Sequence, residues 1–155
     1  MLRSTSVKQE SWKPVKLLAK QPVKDKILSL DCDLEGKLAV ALTTSSMNIF
    51  SERELLKVVD IDGGYELKIS SGLENIFVLS SKKLFCFDYW GNLSWEYISD
   101  GLIDDFELDP LGKNIVLRGE KFVSFLNRFG DLEWDYNFPE YIIDIYYTTS
   151  GAFLI

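Results

Sequence analysis

The stretch FCFDYWGNLSWEY, Phe85 to Tyr97, is written a second time as SFLNRFGDLEWDY, Ser124 to Tyr136. Gly91 and Gly130 are 39 residues apart, as are Trp95 and Trp134, and Ile76 and Ile115. A third copy shows in DLEGKLAVAL (Asp33 to Leu42), which keeps Asp, Gly and Lys in register with DPLGKNIVLR (Asp109 to Arg118). In TTSGAFLI (Thr148 to Ile155), Gly151 again falls 39 residues after Gly112. A period near 40 in strand-like sequence marks a chain built by stacking one small β-unit several times.

Inside each copy, short apolar or alternating runs are separated by turn residues, the pattern of a β-rich repeat. The clearest copy reads IDDFELD (Ile103 to Asp109), a turn at Pro110-Leu111-Gly112-Lys113, then NIVLR (Asn114 to Arg118) and a tight Gly119-Glu120 turn. KFVSFL (Lys121 to Leu126), a turn at Asn127-Arg128-Phe129-Gly130 and DLEWDY (Asp131 to Tyr136) complete it, which predicts four antiparallel strands. Gly91 and Gly130 fall where such a turn needs a positive φ. Asp88 and Asn127, three residues earlier, are placed to bond the turn's own amides. Leu93, Trp95 and Tyr97 alternate on one face of the last strand, as Leu132, Trp134 and Tyr136 do. The Trp residues are read as packing between neighbouring units, ligand stacking being the other use of such rings.

GNLSWEY and GDLEWDY, each followed by an apolar strand and a D-x-x-G-K or S-G turn, resemble the blades of quinoprotein-like and WD-repeat-like β-propellers. The resemblance covers about residues 27–155. It implies an all-β, β-propeller-like array of four-stranded antiparallel blades: about three full blades at 27–61, 65–98 and 103–136, and a partial fourth at 142–155. It does not imply a chemistry, because this architecture carries scaffolds, binding modules and enzymes alike. The Trp-Asp dipeptide that ends a WD blade occurs only as Trp134-Asp135, out of place, so no WD-type hydrogen-bond network is carried over. Unit one departs further. Glu54 and Val58 are set where the other units have Gly and Trp, Leu56 is set against Leu93, and SERELLKVV, which has some helical propensity, is read as turn and strand.

The fourth unit offers two strands only, Ile142 to Tyr147 and Ala152 to Ile155, and so an open sheet edge. Three arrangements would cover it. SWKPVKLLAK, residues 11–20, could return as an outer strand with Trp12 in the place of Trp95 and Trp134. A second copy could complete the ring as a homo-oligomer, or the chain is a shortened piece of a longer protein.

With 155 residues, 46% hydrophobic and 14% aromatic, the chain suffices for one domain with a real core. No apolar run approaches the roughly 18 residues of a membrane span, and the opening residues lack the apolar region of a secretory signal. A cytoplasmic protein, away from membranes, is the expectation. Residues 1–26 form a basic arm with seven basic and two acidic residues, against ten and twenty-two in 27–155. An acidic body repels phosphate, so nucleic acid is not an expected partner. Cys32 and Cys86 lie in apolar strand runs and are read as small buried hydrophobes. The absence of histidine removes His-based acid–base catalysis, Ser-His-Asp triads and His-containing zinc sites. Neither a G-x-x-x-x-G-K-[ST] loop nor a G-x-G-x-x-G fingerprint occurs. No catalytic set, metal site or cofactor is therefore predicted.

Two carboxylate groups remain. DIDGGYE, Asp60 to Glu66, spaces acids around a glycine turn but lacks the ligand set of a calcium loop. Glu66, Asp105 and Asp144 coincide under the 39-residue offset, each one residue before an apolar position, Leu67, Phe106 or Ile145. In the resembling propellers the innermost strand borders a central channel and carries a small polar residue there. Glu66, Asp105 and Asp144, with Asp104, Glu107 and Asp109, would instead make an acidic face that attracts cations or basic side chains. Solvated or backbone-bonded acids at strand ends are the plainer reading. Tyr89, Trp90, Arg128 and Phe129 at the turn tips are the second candidate contact set, because aromatics and Arg are enriched at interfaces. The expected function is a non-catalytic protein-binding or assembly module whose partner is another protein or another copy. A fragment or protomer of a propeller enzyme, a carboxylate-based glycoside hydrolase or a quinoprotein-like one, is the alternative.

Overall fold

The structure, a computed structural model, describes residues 22–52, 54–70, 75–109, 111–148 and 151–154. The expected basic arm falls largely outside them, as does its strand at 11–20. The described residues form strands and turns and no helix. Unit one is the sheet β1 (Ile27–Cys32), β2 (Leu38–Thr43), β3 (Ser46–Ser51) and β4 (Glu54–Asp60). Unit two is β5 (Gly64–Ile69), β6 (Ile76–Ser80), β7 (Lys83–Phe87) and β8 (Leu93–Ile98). Unit three is β9 (Asp105–Leu108), β10 (Asn114–Arg118), β11 (Phe122–Asn127) and β12 (Leu132–Asn137), and unit four is the pair β13 (Ile145–Thr148) and β14 (Gly151–Leu154). Each four-stranded sheet is an antiparallel meander in chain order.

The turns are built as their residue types require. In the β7–β8 turn, Asp88 Oδ1 accepts the Asn92 amide at 2.8 Å and Gly91 takes φ 74°. In the β11–β12 turn, Asn127 Oδ1 accepts the amides of Phe129 and Asp131, and Gly130 takes φ 83°. A side-chain acceptor thus stands in for the missing strand partner, and glycine avoids the cost that a Cβ meets at positive φ. A register shift of the β-bulge kind accompanies the outer hairpin of each four-stranded unit, at Ile49/Phe50, Cys86/Phe87 and Phe125/Leu126.

The middle strands read as continuous apolar runs because both their faces are covered. On β6, Ile76 and Val78 pack with Leu38, Val40, Leu42 and Ile49 of unit one. Phe77 and Leu79, pointing the other way, pack with Phe106, Ile115 and Leu117 of unit three. Ile76, Phe77, Val78 and Leu79 are all fully buried, so unit two lies between its neighbours. A third cluster joins Val116 and Val123 to Ile142 and Ile145.

Unit one corrects the sequence alignment. Residues 54–60 form the strand β4 rather than a helix, as read, but the turn before it is one residue shorter than in the other units. Phe50 pairs with Leu55 where Phe87 pairs with Leu93, and Ile49 with Lys57 where Cys86 pairs with Trp95. Leu55, not Leu56, therefore corresponds to Leu93, and Lys57, not Val58, holds the Trp position. The shortened turn carries no glycine and places Glu52 at φ 47°, the single positive-φ residue other than glycine among the described residues. Cys86 is buried as expected, whereas Cys32 is exposed, because no sheet among the described residues lies against the face of unit one that carries it.

Candidate functional site

Of the residues that share the 39-residue offset, Glu66 on β5 and Asp105 on β9 come together, joined by Glu107, whereas Asp144, just before β13, is held by its own neighbours. Lys68 lies among them, half-buried, with Nζ 3.2 Å from Glu66, 3.7 Å from Asp105 and 3.0 Å from Glu107. It also donates to the Phe106 carbonyl, and it stands 4.7 Å from the Phe106 ring centroid. Burial presses the Lys68 pKa down, yet the hydrogen-bonded Glu107 carboxylate and the charges of Glu66 and Asp105 hold it above the usual lysine value. Glu66 is raised above the ordinary carboxyl value by burial first, against the pull of Lys68. One ammonium shared among three carboxylates compensates each only in part, which reconciles the two shifts.

Arg118, on β10, supplies the second cation, with Nη1 3.4 Å from Asp104 and 3.4 Å from the Ile142 carbonyl. Tyr65 donates its hydroxyl to the Ile103 carbonyl, and burial, then the charges of Glu66, Asp104 and Asp105, push its pKa to about 12. Asp144 accepts the Tyr146 hydroxyl at 2.6 Å and the Ile145 amide at 2.8 Å, which hold its carboxyl below the usual value. Asp105 likewise accepts the amide of its own successor, Phe106, at 2.7 Å. Asp109 is not part of this group. Its oxygens accept Leu111 N, Lys113 N and Asn114 Nδ2 inside the β9–β10 turn.

The same side chains bind unit to unit. Asp31 Oδ2 accepts the Ile69 amide at 2.7 Å, tying β1 to β5. Lys68, which holds the matching place in unit two, reaches the Phe106 carbonyl on β9. Four carboxylates (Glu66, Asp104, Asp105 and Glu107) pair with two cations, so the cluster stays net negative while much of its charge serves to hold the inner strands together. Among the described residues, no group of three or more acids and thiols is arranged to hold a metal ion, and the Asp60 to Glu66 segment runs between units one and two.

At the outer edge, each unit reaches over the turn of the next. Trp95 on β8 donates Nε1 to the Arg128 carbonyl at 3.0 Å and lies so close to Gly130 that a Cβ there would come within 2.6 Å of its ring. Lys57 on β4 repeats the contact one unit earlier, donating to the Gly91 carbonyl at 3.0 Å and to Asn92 Oδ1 at 2.9 Å. Trp134 holds the same place on β12 and stacks on Phe125 at 5.6 Å, but it is 47% exposed and Tyr136 beside it is 56% exposed.

Of the turn-tip residues, Tyr89 is half-buried and shares a 2.5 Å hydrogen bond with Ser51. Trp90, against it edge-on at 5.2 Å, is exposed, and the two line a cleft of about 430 Å³ with Leu34, Lys37, Leu38 and Ser70. Arg128 covers the exposed Phe129 ring at 4.5 Å. The tips and the acidic cluster are thus separate surfaces. Lys68 and Arg118 were missed by the sequence reading, although the offset that aligned the acids also sets Lys68 against Glu107, a charge reversal that signals a pair.

Comparison with protein-family profiles and with curated protein sequences finds no match. Among solved structures, a functionally unknown protein from Desulfotomaculum acetoxidans DSM 771 superposes with a TM-score of 0.68 at 16% identity, over 87% of this chain and 50% of its own. A eukaryotic initiation factor superposes with a TM-score of 0.67 at 12% identity, over 76% of this chain and 33% of its own. The chain therefore spans half or less of the length of these structures, and at such identity the likeness is one of fold alone. No helix among the described residues is long and apolar enough to cross a membrane.

Proposed function

We propose that the chain is a non-catalytic binding or assembly module, a section of a β-propeller whose open blade face is suited to contact with further protein surface. The observation that supports this most directly is the exposure of Trp134. The equivalent Trp95 is seated on the glycine turn of the next unit, whereas Trp134 presents the same indole, already stacked and oriented by Phe125, to solvent. A pre-oriented aromatic pair on an open sheet face has the composition of an interface anchor. The opposite end of the array agrees: Leu30, which aligns with Leu67 and Phe106 in the inner strands, is 66% exposed where those are 3% and 0%. The inner-strand cluster, a separate and net negative surface, would favour basic side chains in whatever reaches it.

Light scattering over a concentration series, with wild type and Trp134→Ser compared, tests the reading. A mass that rises with concentration, and does so less in the variant, supports assembly through this face. Hydrolysis of a glycan panel by the wild type that disappears when Glu66, Asp105 and Asp144 are replaced by alanine would put an enzyme in its place.

A further inference from the structure

Between units two and three the outer wedge is filled by two rings, Tyr97 from β8 and Phe122 from β11, both half-buried against the core. Strand register identifies their counterparts between units one and two. The pair Met47 and Val59 answers Leu84 and Tyr97, and Lys83 with Ile98 answers Phe122 with Asn137. Two rings are thus replaced by an isopropyl group and a lysine whose Nζ is engaged with Glu96 at 3.3 Å. The wedge stays open there as a groove of about 600 Å³ whose lining includes Val59, Phe85, Phe87 and Leu93, with the charged Asp62 and Lys82. That size falls in the range of roughly 300–1,000 Å³ usual for ligand pockets. The groove continues an interface already made, because Phe87 belongs to the core between units one and two and Val59 and Phe85 pack against it.

The geometry points to this groove as a docking site for an aromatic side chain, a phenol above all, presented by a partner protein. The walls that would receive it sit at the register positions of those beside Tyr97 one unit later, but with Phe85 and Phe87 in place of Ser124 and Leu126, so a flat ring entering here meets other rings. An apolar floor with charges of both signs around it suits a polypeptide, whose backbone stays wet while one ring is buried. This site is distinct from the Trp134 face and stands without it.

The test is a methyl-resolved NMR titration of the full chain with N-acetyl-tyrosinamide, using N-acetyl-leucinamide as control. Saturable shifts at the Val59 and Leu93 methyls are expected at millimolar tyrosinamide, with at least fivefold weaker binding of the leucine probe. Val59→Tyr, which offers the groove a phenol of its own, abolishes the shifts. Leu93→Glu, at an exposed position that leaves folding intact, weakens binding at least fivefold and carries the test should the first variant misfold. No saturable shift at these methyls, an equal response to both probes, or unchanged binding in Leu93→Glu would overturn the proposal. Shifts at the same methyls on concentrating the protein alone would also overturn it, by assigning the groove to a second copy.

Discussion

Gly130→Ala tests the reasoning about how one unit locks onto the next. At φ 83° the new methyl group costs about 1 kcal/mol of backbone strain. It would also stand 2.6 Å from Cε3 and 2.7 Å from Cδ2 of Trp95, closer than any real contact, so the ring must move. Movement sacrifices the 3.0 Å bond from Nε1 to the Arg128 carbonyl, worth about 0.5–1.5 kcal/mol net. It also disturbs the tilted contact with Phe77 at 5.9 Å, worth a further 0.5–1.5 kcal/mol or so. The expected loss is about 2–4 kcal/mol, roughly a 5–12 °C fall in Tm for a domain of this size. Gly36→Ala is the matched control. Gly36 has a similar φ of 68° but nothing within 4 Å of a new Cβ, so it loses only the strain, about 1 kcal/mol. Urea unfolding followed by circular dichroism measures both, and tryptophan emission reports the displaced indole. Equal losses in the two variants would refute the claim that Trp95 on Gly130 is an energetic lock.

Two further outcomes follow from the inner strands and the thiols. Tyr65 holds its proton in the folded protein up to about 12, against 10.0 for the ordinary phenol, so the stability it lends is complete below pH 10 and is lost as pH rises towards 12. Tyr65→Phe should be less stable than wild type at pH 8, by about 1 kcal/mol or less, and wild type should lose that advantage in alkali; curves that stay parallel would show that burial and the charges of Glu66, Asp104 and Asp105 do not hold the proton on Tyr65. A thiol reagent should modify Cys32, which is exposed, at the rate of a free thiol and leave Cys86, whose pKa burial pushes to about 12, untouched until the protein unfolds. Modification of both in the native protein would contradict the packing between units two and three.

Much of the architecture was legible because it depends on local chemistry. A glycine at positive φ with Asp or Asn three residues before it marks the same turn at Gly36, Gly91, Gly112 and Gly130, each donating its amide to that residue's carbonyl, and β10 begins and ends where NIVLR does. What escaped the sequence depends on contacts between distant residues. In Glu54-Leu55-Leu56-Lys57-Val58-Val59 apolar residues flank the lysine on both sides, so no alternation fixes the face, and a turn one residue shorter moved the whole strand by one place. Lys68 is an unremarkable strand lysine until β9 brings Asp105 and Glu107 beside it. Cys32 is apolar in its local context and exposed in the fold, because burial of a sheet face is decided by the next sheet and not by the strand itself.

That last dependence explains the gradient of burial along the array. Unit two has a neighbour on each side, and every residue from Ile76 to Leu79 is at 0% exposure. Among the described residues unit one has a neighbouring sheet on one side, so Leu42 and Ile49 are buried while Leu30 and Val58 are not. Unit three is covered near its inner strands by Ile142 and Ile145 and left open at β12, where all six residues are exposed. Leu30 and Trp134 occupy places that bury their side chains in the middle of the array, so their exposure follows from position in the array and not from residue type. The same comparison separates the 1–2 groove from the end faces. It lies between two units that are already packed together, and it is open because Val59 and Lys83 are the wrong shape to fill a wedge that Tyr97 and Phe122 fill one unit later.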